Sequence, residues 1–379
     1  MLELKKYKNK KIAVYGMGLT GFSVAKTLKK SGADVFCWDD NLKIRKKIKK
    51  LNLETTKFWL NKESIDNIVL SPGIDINRCK IKKYLKKNLK KIITDLDIFF
   101  EFNKNLKIIS ITGTNGKSTT CKIIEKILKE AKFKVNTVGN IGEPILSLSK
   151  IEKKTIFILE VSSYQLQYSR FFRSNYAAIL NISPDHLERH KSIKNYIRTK
   201  SKIFFGQNKT DYSYINDNNR YSKYIKKIFK SKKLNSKLIY VKKSDIDFLL
   251  KNINNHNFKT RSNLENLAFA YKISKKLKVS KKTIIKAINS FKNLPHRQEI
   301  VFSNNKTLCI NDSKATSFDA CLQSLLNYNR IYWIVGGVPK FGDKFFIKQV
   351  KDKIIKAYII GKNINFFKKK IINFVPYKI

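Results

Sequence analysis

Residues 106–128 read LKIISITGTNGKSTTCKIIEKIL, and they carry the clearest structural pattern in the chain. The apolar start of this stretch predicts a β-strand, and a short turn with two glycines follows. After the turn, Ile123, Ile124, Ile127 and Leu128 recur at helical spacing, which predicts an amphipathic helix with one buried face. A strand that passes through a glycine turn into a helix is the repeating unit of parallel α/β sheets.

The turn itself, residues 113–119 with the sequence GTNGKST, is suited to holding phosphate. Backbone amides at the start of a helix complement negative charge, Lys117 can offset charge on a transferred group, and Ser118 or Thr119 can reach Mg²⁺. The turn departs from the strict GxxxxGK[ST] pattern because Ile111 occupies the first glycine position. The alternative is an ordinary strand-to-helix turn, but the Lys-Ser-Thr run in register favours phosphate.

The N-terminal segment repeats the pattern, with the strand KKIAVYG followed by Gly16, Gly18 and Gly21 in the spacing GxGxxG. Asp39 and Asp40 end the next strand. A loop and acid of this kind are the fingerprint of dinucleotide binding, but the same loop can hold another nucleoside diphosphate or pack a helix closely on a sheet. We favour a nucleoside diphosphate other than a dinucleotide, and the residues alone leave all three interpretations open.

Candidate metal ligands follow two later strands. Glu160 lies late in the strand-like run TIFILEVSS, and Asp185-His186 follows the run NIS. Because the carboxyl ends of parallel strands meet at one edge of a sheet, we expect these side chains beside the phosphate-holding turn, where they can bind Mg²⁺. Each could instead be a helix cap or part of a surface turn.

The chain divides into three predicted domains, residues 1–105, 106–294 and 295–379. The last boundary falls at the run NLPHR, where proline interrupts a helical pattern. We predict the α/β fold class, with a Rossmann-like N-terminal domain, a central P-loop ATPase domain built on a parallel sheet, and a Rossmann-like C-terminal domain. The third segment is short for a doubly wound domain, so we expect it to be truncated.

Basic residues dominate the charge: 80 Lys and Arg stand against 28 Asp and Glu, for a net charge of +52. This excess raises the alternative of a nucleic-acid-binding P-loop ATPase. The lysines are spread along the chain and are not interleaved with aromatic residues as on a base-stacking surface. Compositional drift therefore explains them better, and we expect no nucleic-acid partner.

The remaining composition points to a cytoplasmic enzyme. Five scattered cysteines without a CxxC pair predict neither disulfides nor a zinc site. No apolar run approaches the roughly 18 residues that a membrane helix requires, and the N-terminus lacks the apolar region of a signal peptide. We expect a cytoplasmic location and no membrane insertion.

Nine short motifs occur along the chain in the order GMGLTG, LSPGI, TGTNGKSTT, GNIG, LEVSSYQLQ, NISPDHLERH, NLPHR, NDSKAT and GGVPK. In this order the chain resembles the Mur ligases, the ATP-dependent amide-forming enzymes of peptidoglycan precursor synthesis, from Gly16 to about Lys344. Within the family, Asn115 and the run NDSKAT resemble the member that adds D-glutamate. The member that adds L-alanine carries a histidine at the position of Asn115.

The resemblance implies a reaction and its cofactors. ATP would phosphorylate the terminal carboxylate of UDP-N-acetylmuramoyl-L-alanine, and the amine of D-glutamate would then displace phosphate from the acyl phosphate. Two Mg²⁺ ions would assist. The resemblance also implies that Lys200 is carbamylated to bridge the metal ions, since a carbamate can bind Mg²⁺ and an amine cannot. We expect the enzyme to be a monomer.

The resemblance also implies three sets of site residues. The ATP-binding set is Gly113, Thr114, Asn115, Gly116, Lys117, Ser118, Thr119, Asn263, Asn266, Arg297, Asp312 and Lys314. The substrate-binding set is Gly18, Leu19, Thr20, Asp39, Asp40, Gly73, Asn140, Ser162, Gln165, Thr316 and Lys340. The metal-binding set is Ser118, Glu160, His186 and Lys200 as its carbamate, and the catalytic set is Lys117, His186 and Lys200.

One family segment has no counterpart in the chain. Members continue to a serine- and phenylalanine-containing run of the kind SPA-x-ASFDQF, which helps to bind glutamate, and nothing similar occurs before Ile379. We therefore expect either a truncated chain or an acceptor site built from other residues. A further interpretation, a nicotinamide dehydrogenase built on GMGLTG, would leave TGTNGKSTT without a role.

Overall fold

The computed structural model describes residues 5–60, 64–102, 105–139, 144–147, 152, 154–339, 343 and 345–379. Over these residues strands alternate with helices, and the larger sheets are parallel. The predicted α/β fold class is confirmed. Short 3₁₀ helices lie at Lys5–Tyr7, Leu89–Lys91, Ile145–Ser147, Lys202–Phe204, Lys243–Ile246, His256–Phe258, Ile347–Gln349 and Lys351–Lys353.

The first sheet has, among the described residues, five parallel strands in the order β3-β2-β1-β4-β5. Its elements are β1 (Lys11–Tyr15), α1 (Leu19–Lys30), β2 (Asp34–Trp38), α2 (Leu42–Lys50), β3 (Glu54–Thr55), β4 (Asn67–Leu70), α3 (Lys82–Lys87), β5 (Ile92–Ile93) and α4 (Asp95–Phe102). Ile12 and Val14 enter one core, and Ala13 and Tyr15 enter the core on the opposite face. A strand buried on both faces needs a continuous apolar run, which β1 has.

The chain reverses direction across the first sheet between β1 and β4. From β1 it proceeds to β2 on one side, and it later returns to β4 on the other side. Such a reversal opens a crevice at the carboxyl ends of the two strands, where ligands bind in doubly wound folds. The turn after β4 meets the loop after β1 there, because the hydroxyl of Ser71 donates to the carbonyl of Gly16.

The second sheet has six parallel strands in the described part of the chain, in the order β11-β10-β9-β6-β8-β7. Its elements are β6 (Lys107–Thr112), α5 (Lys117–Glu130), β7 (Val135–Gly139), β8 (Ile156–Glu160), α6 (Ser163–Tyr168), β9 (Tyr176–Ile179), α7 (Leu187–His190), α8 (Ile193–Ser201), β10 (Tyr212–Asn216), α9 (Ser222–Ser231), β11 (Lys237–Val241), α10 (Asp247–Leu250), α11 (Arg261–Lys276) and α12 (Lys281–Asn289). The predicted apolar stripe of α5 is completely buried in the core that this helix shares with the sheet, α11 and α12. The strand, turn and helix predicted over 106–128 are thereby confirmed.

The third segment contains a hairpin and a smaller parallel sheet. The hairpin pairs β12 (Glu299–Ser303) with β13 (Leu308–Asn311) in antiparallel fashion. The elements that follow are α13 (Phe318–Leu326), β14 (Ile331–Gly336), β15 (Ile354–Ile360), α14 (Ile364–Ile371) and β16 (Tyr377–Lys378), with strand order β14-β15-β16. Phe318, Trp333 and Ile359 belong to a core of their own.

The three groups of strands fall within the three predicted segments. Strands β1–β5 precede residue 105, β6–β11 lie within 106–294, and β12–β16 follow residue 295. The boundary residues themselves stay predictions. Of the helices in the described ranges, not one is both long and apolar enough to cross a membrane.

A buried carboxylate lies where the first two sheets share one core. Asp97 of α4 is 2% exposed. Its Oδ1 accepts hydrogen bonds from the backbone N–H groups of residues 170–172 at 2.9, 2.7 and 3.0 Å and from the hydroxyl of Ser169 at 2.8 Å. Its Oδ2 accepts from the N–H and the hydroxyl of Thr94. One side chain thus joins α4 to the loop that follows α6.

We expect Asp97→Ala to lower the free energy of unfolding by about 3 kcal/mol or more, because buried donors would lose their acceptor. Urea unfolding would measure the loss. Asp34→Ala is the matched control, since Asp34 is exposed, and it should change stability by less than about 0.5 kcal/mol. Equal stabilities of the two variants would contradict the role of Asp97.

Candidate active site

The turn between β6 and α5, residues 113–119, requires glycine at position 116; we call this turn the phosphate loop. Gly116 has φ +82°, in the left-handed region that other residues rarely adopt. A Cβ there would lie 2.3 Å from Oδ1 of Asn266 on α11. The same Oδ1 accepts a hydrogen bond from the hydroxyl of Thr120 at 3.2 Å. Asn266, a predicted ATP-binding residue, therefore packs directly against the phosphate loop.

Asn181, which follows β9, holds the other side of the phosphate loop. Its Oδ1 accepts from the N–H of Asn115 at 2.8 Å, and its Nδ2 donates to the carbonyl of Asn115 at 3.1 Å. Its backbone carbonyl accepts from the N–H of Thr114 at 2.9 Å. The loop is thus shaped by the protein itself. Sequence analysis did not single out Asn181, although it lies in the NISPDHLERH motif.

The phosphate loop opens the 14-residue helix α5, which begins at Lys117. Backbone amides at a helix start, with the helix dipole behind them, favour a bound anion. The Nζ of Lys117 donates to the carbonyls of Gly113 at 3.0 Å and Thr114 at 2.9 Å. Its charge therefore lies against the loop backbone, where an anion held by the loop amides would be close to it.

Lys200 of α8 lies under the same loop and is 2% exposed. Its Nζ donates to the carbonyl of Gly113 at 2.8 Å and to the hydroxyl of Thr112 at 3.2 Å. Lys117 and Lys200 therefore share one acceptor. Burial, and next the nearby charge of Lys117, hold the pKa of Lys200 well below its usual value. A lysine in this state is more readily a neutral, nucleophilic amine.

Ser118 and Glu160 place two oxygen ligands beside the phosphate loop. The hydroxyl of Ser118 donates to Oε2 of Glu160 at 2.7 Å, and Nη2 of Arg297 lies 3.0 Å from the Ser118 oxygen. Hydroxyl and carboxylate oxygens suit Mg²⁺. Within the described ranges, no group of three or more His, Cys, Asp or Glu side chains could hold a metal ion. A site with few protein ligands, such as the pair of Ser118 and Glu160, fits Mg²⁺, because this ion usually completes its coordination with water and substrate phosphates.

His186 contacts two tyrosines, and one of them, Tyr196, reaches the phosphate loop. The Nδ1 of His186 lies 2.9 Å from the hydroxyl of Tyr164, and its Nε2 lies 3.4 Å from the carboxylate of Asp185. Burial raises the pKa of Tyr164 to about 12, so this hydroxyl keeps its proton at neutral pH. The His186 ring also packs on Tyr196, whose hydroxyl lies 3.3 Å from that of Thr114.

A cavity of about 390 Å³ lies at the crevice of the first sheet. Asp40 and Gly73 line it from the first domain, and Tyr164 and Arg189 line it from the second. The cavity therefore spans the two domains and ends near the tyrosine that contacts His186. Its position matches the predicted nucleotide-binding region.

The three glycines of the GxGxxG run have different roles. A Cβ at Gly21 would lie 2.0 Å from the carbonyl of Gly16, and a Cβ at Gly16 would lie 2.7 Å from Ile74. These two positions serve close packing. A Cβ at Gly18 would meet nothing within 4 Å, and the neighbouring Leu19 is 81% exposed. The loop can therefore admit a ligand at Gly18, Leu19 and Thr20.

The two acids that follow β2 face different surroundings. Asp39 accepts hydrogen bonds from the N–H of Met17 at 2.7 Å and the N–H of Asn41 at 2.8 Å, so it shapes the loop after β1. Asp40 accepts from the hydroxyl of Tyr15 at 2.7 Å and lines the cavity. Of the pair, Asp40 is the acid that faces the ligand space.

Ser162 and Gln165, both predicted to bind substrate, form a capping box at the start of α6. Oε1 of Gln165 accepts from the N–H of Ser162 at 3.0 Å. The Nε2 of Gln165 lies 3.5 Å from a carboxylate oxygen of Asp95, and burial raises the pKa of Asp95 to about 6. The pair lies just beyond Glu160 in the chain, so residues predicted to bind substrate adjoin a residue predicted to bind metal.

The third segment reaches the phosphate loop through Arg297, by its contact with Ser118. Asp312 lies further back, where it accepts hydrogen bonds from a backbone N–H and a serine hydroxyl, and burial raises its pKa. Lys314 and Thr316 are exposed in the loop after β13. Of the third-segment residues predicted to bind ATP, Arg297 lies at the phosphate loop, and Asp312 accepts a hydrogen bond from the backbone next to Arg297.

Two predicted substrate residues, Asn140 and Lys340, lie outside the described residues. Asn263 lies on α11 and donates to the carbonyl of Asn257 at 2.7 Å. Sequence analysis missed Asp319, whose carboxylate accepts from Nδ2 of Asn115 at 3.2 Å. This is a further contact between the third segment and the phosphate loop. Nothing in the sequence signals it, because the two residues lie 204 positions apart.

Two families match the chain. The Mur ligase middle domain matches residues 111–284. The MurD-like N-terminal domain of Mur ligases matches residues 10–93. The first match contains the phosphate loop, and the second contains the crevice of the first sheet.

Similar proteins include three with the name UDP-N-acetylmuramoylalanine–D-glutamate ligase. The one from Rickettsia prowazekii (strain Madrid E) is 37% identical, over 97% of this chain and 86% of the relative. The one from Rickettsia felis is 36% identical, over 99% of this chain and 87% of the relative. The one from the Wolbachia of Brugia malayi is 34% identical with the same coverage of 99% and 87%.

Solved structures of Mur ligases share the fold. MurF from Acinetobacter baumannii has a TM-score of 0.58 and 16% identity, over 99% of this chain and 83% of that chain. MurF from Thermotoga maritima in complex with ADP has a TM-score of 0.58 and 15% identity, over 100% and 87%. The family matches include both the phosphate loop and the crevice of the first sheet, and the similar proteins align with nearly the whole chain. The chain therefore belongs to the Mur ligase family of ATP-dependent ligases.

Proposed function

We propose that this ligase joins D-glutamate to UDP-N-acetylmuramoyl-L-alanine in an ATP-dependent reaction. The observation that carries the proposal is the convergence of Lys117, the Ser118–Glu160 pair and Arg297 on one phosphate loop. The identity of 34–37% with relatives named for this substrate and amino acid supports the specific assignment. No contact among the described residues favours the nucleic-acid alternative.

ATP would bind with its phosphates on the amides of the phosphate loop. Lys117 would leave the carbonyls of Gly113 and Thr114 and approach the γ-phosphate, where its charge is needed. Ser118 and Glu160 would hold Mg²⁺, which supplies positive charge that offsets the phosphate oxygens. Asn263 and Asn266 on α11 would lie on the adenine side of the loop.

The reaction would proceed in two displacements. A carboxylate oxygen of the muramoyl-alanine substrate attacks the γ-phosphorus, ADP leaves, and an acyl phosphate forms. The amine of D-glutamate attacks the acyl carbon, phosphate leaves, and the nitrogen loses a proton as the amide forms. Water would hydrolyse the acyl phosphate, so the site must close. The contacts of Arg297 with Ser118 and of Asp319 with Asn115 are suited to this closure.

We further propose that Lys200 carries a carbamate. Its lowered pKa favours the neutral amine, whose nitrogen would form a bond to the carbon of CO₂ and lose one proton to solvent. The resulting carbamate would place oxygen ligands below the phosphate loop. With His186, these oxygens would hold a second Mg²⁺. The positive charge of Lys117 nearby would favour the anionic carbamate over the ammonium form.

The proposed reaction is tested by phosphate release from ATP with Mg²⁺ and UDP-N-acetylmuramoyl-L-alanine, across a panel of L- and D-amino acids. We expect release to depend on the muramoyl substrate and to be fastest with D-glutamate. Release that is independent of the muramoyl substrate would refute the ligase assignment. Release with L-alanine or a diamino acid in place of D-glutamate would refute the acceptor assignment alone.

We expect Lys200→Ala to lower kcat by about 100-fold or more, since loss of a metal-orienting group has effects of this order, and short carboxylates should restore part of the activity. Lys194→Ala is the matched control, because Lys194 lies on the same helix and is exposed. ¹³C NMR after labelling with ¹³CO₂ should show a carbamate signal in the wild type that Lys200→Ala lacks. Full activity of Lys200→Ala, or the same signal in both proteins, would refute the carbamate.

We expect Gly116→Ala to weaken ATP binding about tenfold or more. The added Cβ would meet Oδ1 of Asn266, and the left-handed backbone at this position is costly for alanine. Calorimetry would measure the affinity for ATP. Gly18→Ala controls for the added methyl group, since its Cβ meets open space in the other domain, and its ATP affinity should match that of the wild type. ATP affinity of Gly116→Ala equal to that of Gly18→Ala would contradict the contact with Asn266.

A further inference from the structure

A buried arginine of the second domain reaches into the first domain. Arg189 of α7 is 9% exposed, and its guanidinium donates to three consecutive carbonyls of the turn after β4, which we call the Pro-Gly turn (residues 72–74). Nη1 lies 3.3 Å from the carbonyl of Gly73, and Nη2 contacts the carbonyls of Pro72 and Ile74. Nε donates to Oε1 of Gln167 at 2.7 Å, which anchors the group to α6.

The guanidinium is occupied by the protein itself. An arginine has five N–H donors in a planar fork, and here Nε, Nη1 and Nη2 are all directed at protein oxygens. The plane lies over the ring of Tyr164, with its central carbon 4.9 Å from the ring centre, and 5.8 Å from that of Tyr168. Although Arg189 lines the cavity, its guanidinium hydrogen-bonds to protein oxygens, as expected of a structural contact and not of a ligand-binding group.

Each end of the expected substrate would lie beside a group that Arg189 contacts, the Pro-Gly turn at one end and Tyr164 at the other. The Pro-Gly turn contains Gly73, which lines the cavity in the first domain, where the nucleotide end would bind. Tyr164, under the guanidinium, contacts Nδ1 of His186 at 2.9 Å, near the reacting end. One side chain therefore touches the turn that borders the nucleotide and the tyrosine that fixes the histidine.

We propose that Arg189 is a positioning residue that holds the Pro-Gly turn at a set distance from His186, so that the nucleotide end and the reacting carboxylate of one substrate molecule are in register. The proposal rests on the proposed function for the identity of that substrate. Misplacement of a reacting group by about 1 Å can cost about 100-fold in rate, so a residue that sets this distance has a measurable effect.

The rest of the domain junction is held without Arg189. Asp97 joins α4 to residues 169–172, and the two sheets share one core. Near the cavity, the N–H of Ile76 donates to the hydroxyl of Tyr168, and Arg78 donates to the carbonyl of Glu188. These contacts hold residues beyond the Pro-Gly turn but not its carbonyls. Loss of Arg189 should therefore displace the turn and leave the two domains assembled.

The experiment compares Arg189→Gln and Arg189→Lys with the wild type. The control is Arg261→Gln, because Arg261 is exposed and pairs with Glu265 one helical turn away. Affinity for UDP alone and for ATP alone is measured by calorimetry. The rate at which a thiol reagent labels Cys79, which lines the cavity just beyond the turn, is compared with that of exposed Cys309 by peptide mapping.

We expect Arg189→Gln to bind UDP at least about tenfold more weakly than the wild type, since the turn would lose three hydrogen bonds. For the same reason Cys79 should be labelled several-fold faster. The UDP affinity and the Cys79 labelling rate of Arg189→Lys should lie between those of the wild type and of Arg189→Gln, because one ammonium group cannot reach all three carbonyls. ATP affinity and labelling at Cys309 should stay unchanged in both. The KM for the muramoyl substrate should rise more than the KM for ATP.

Unchanged UDP affinity and unchanged labelling of Cys79 in Arg189→Gln would overturn the proposal. An equal fall in ATP affinity would also overturn the proposal, because the effect would then be a general loss of structure. A wild-type protein that does not bind UDP would overturn it as well. Amide formation by the wild type is measured separately. If it fails while UDP binding depends on Arg189, the proposed reaction is refuted and the positioning role is supported.

Discussion

Two lysine amines donate to one carbonyl oxygen, that of Gly113, and the chemistry of the site depends on this arrangement. Burial of Lys200 disfavours its charged form, and repulsion from the nearby charge of Lys117 adds to this effect, so the pKa of Lys200 is lowered. Arg297 brings a further cationic group to the loop through its contact with Ser118. Glu160 is the carboxylate that meets the Ser118 hydroxyl. A site with this excess of positive charge is stabilised by an anion, and triphosphate on the loop amides would supply one.

The phosphate loop connects parts of the molecule that are far apart in the chain. Asn266 of α11 packs against Gly116, and Asn181 holds the backbone at Asn115. Asp319 contacts the Asn115 side chain from the third segment. Because these contacts meet on a few residues, a change in the loop on binding would affect both the second and the third segment. The crevice of the first sheet is coupled to the same region through the Pro-Gly turn, Arg189 and Tyr164.

Much of the site was predictable because its signals are local. A strand that is buried along most of its length, a turn that contains glycine and a helix with an apolar stripe are all encoded within 106–128, and the structure has each of them. Glu160 was expected beside the loop because parallel strands end at one edge. Strands β10 and β11 and helix α14 were not anticipated. Strand β10 reads YSYIN, whose buried serine and asparagine weaken the apolar signal, and α14 carries a run of lysines.

Local sequence patterns alone were sufficient to predict the α/β class, the phosphate loop and the acid at the end of β8. Their physical basis is the periodicity of burial and the steric needs of a turn, which involve residues close in the chain. Only folding brings Lys117 and Lys200 to one carbonyl, Asp319 to Asn115, and Arg189 to the Pro-Gly turn. These contacts join residues that lie about 80 to 200 positions apart. Their distances are set by the packing of whole sheets and helices, because a side chain has no local preference for a partner that only folding brings near.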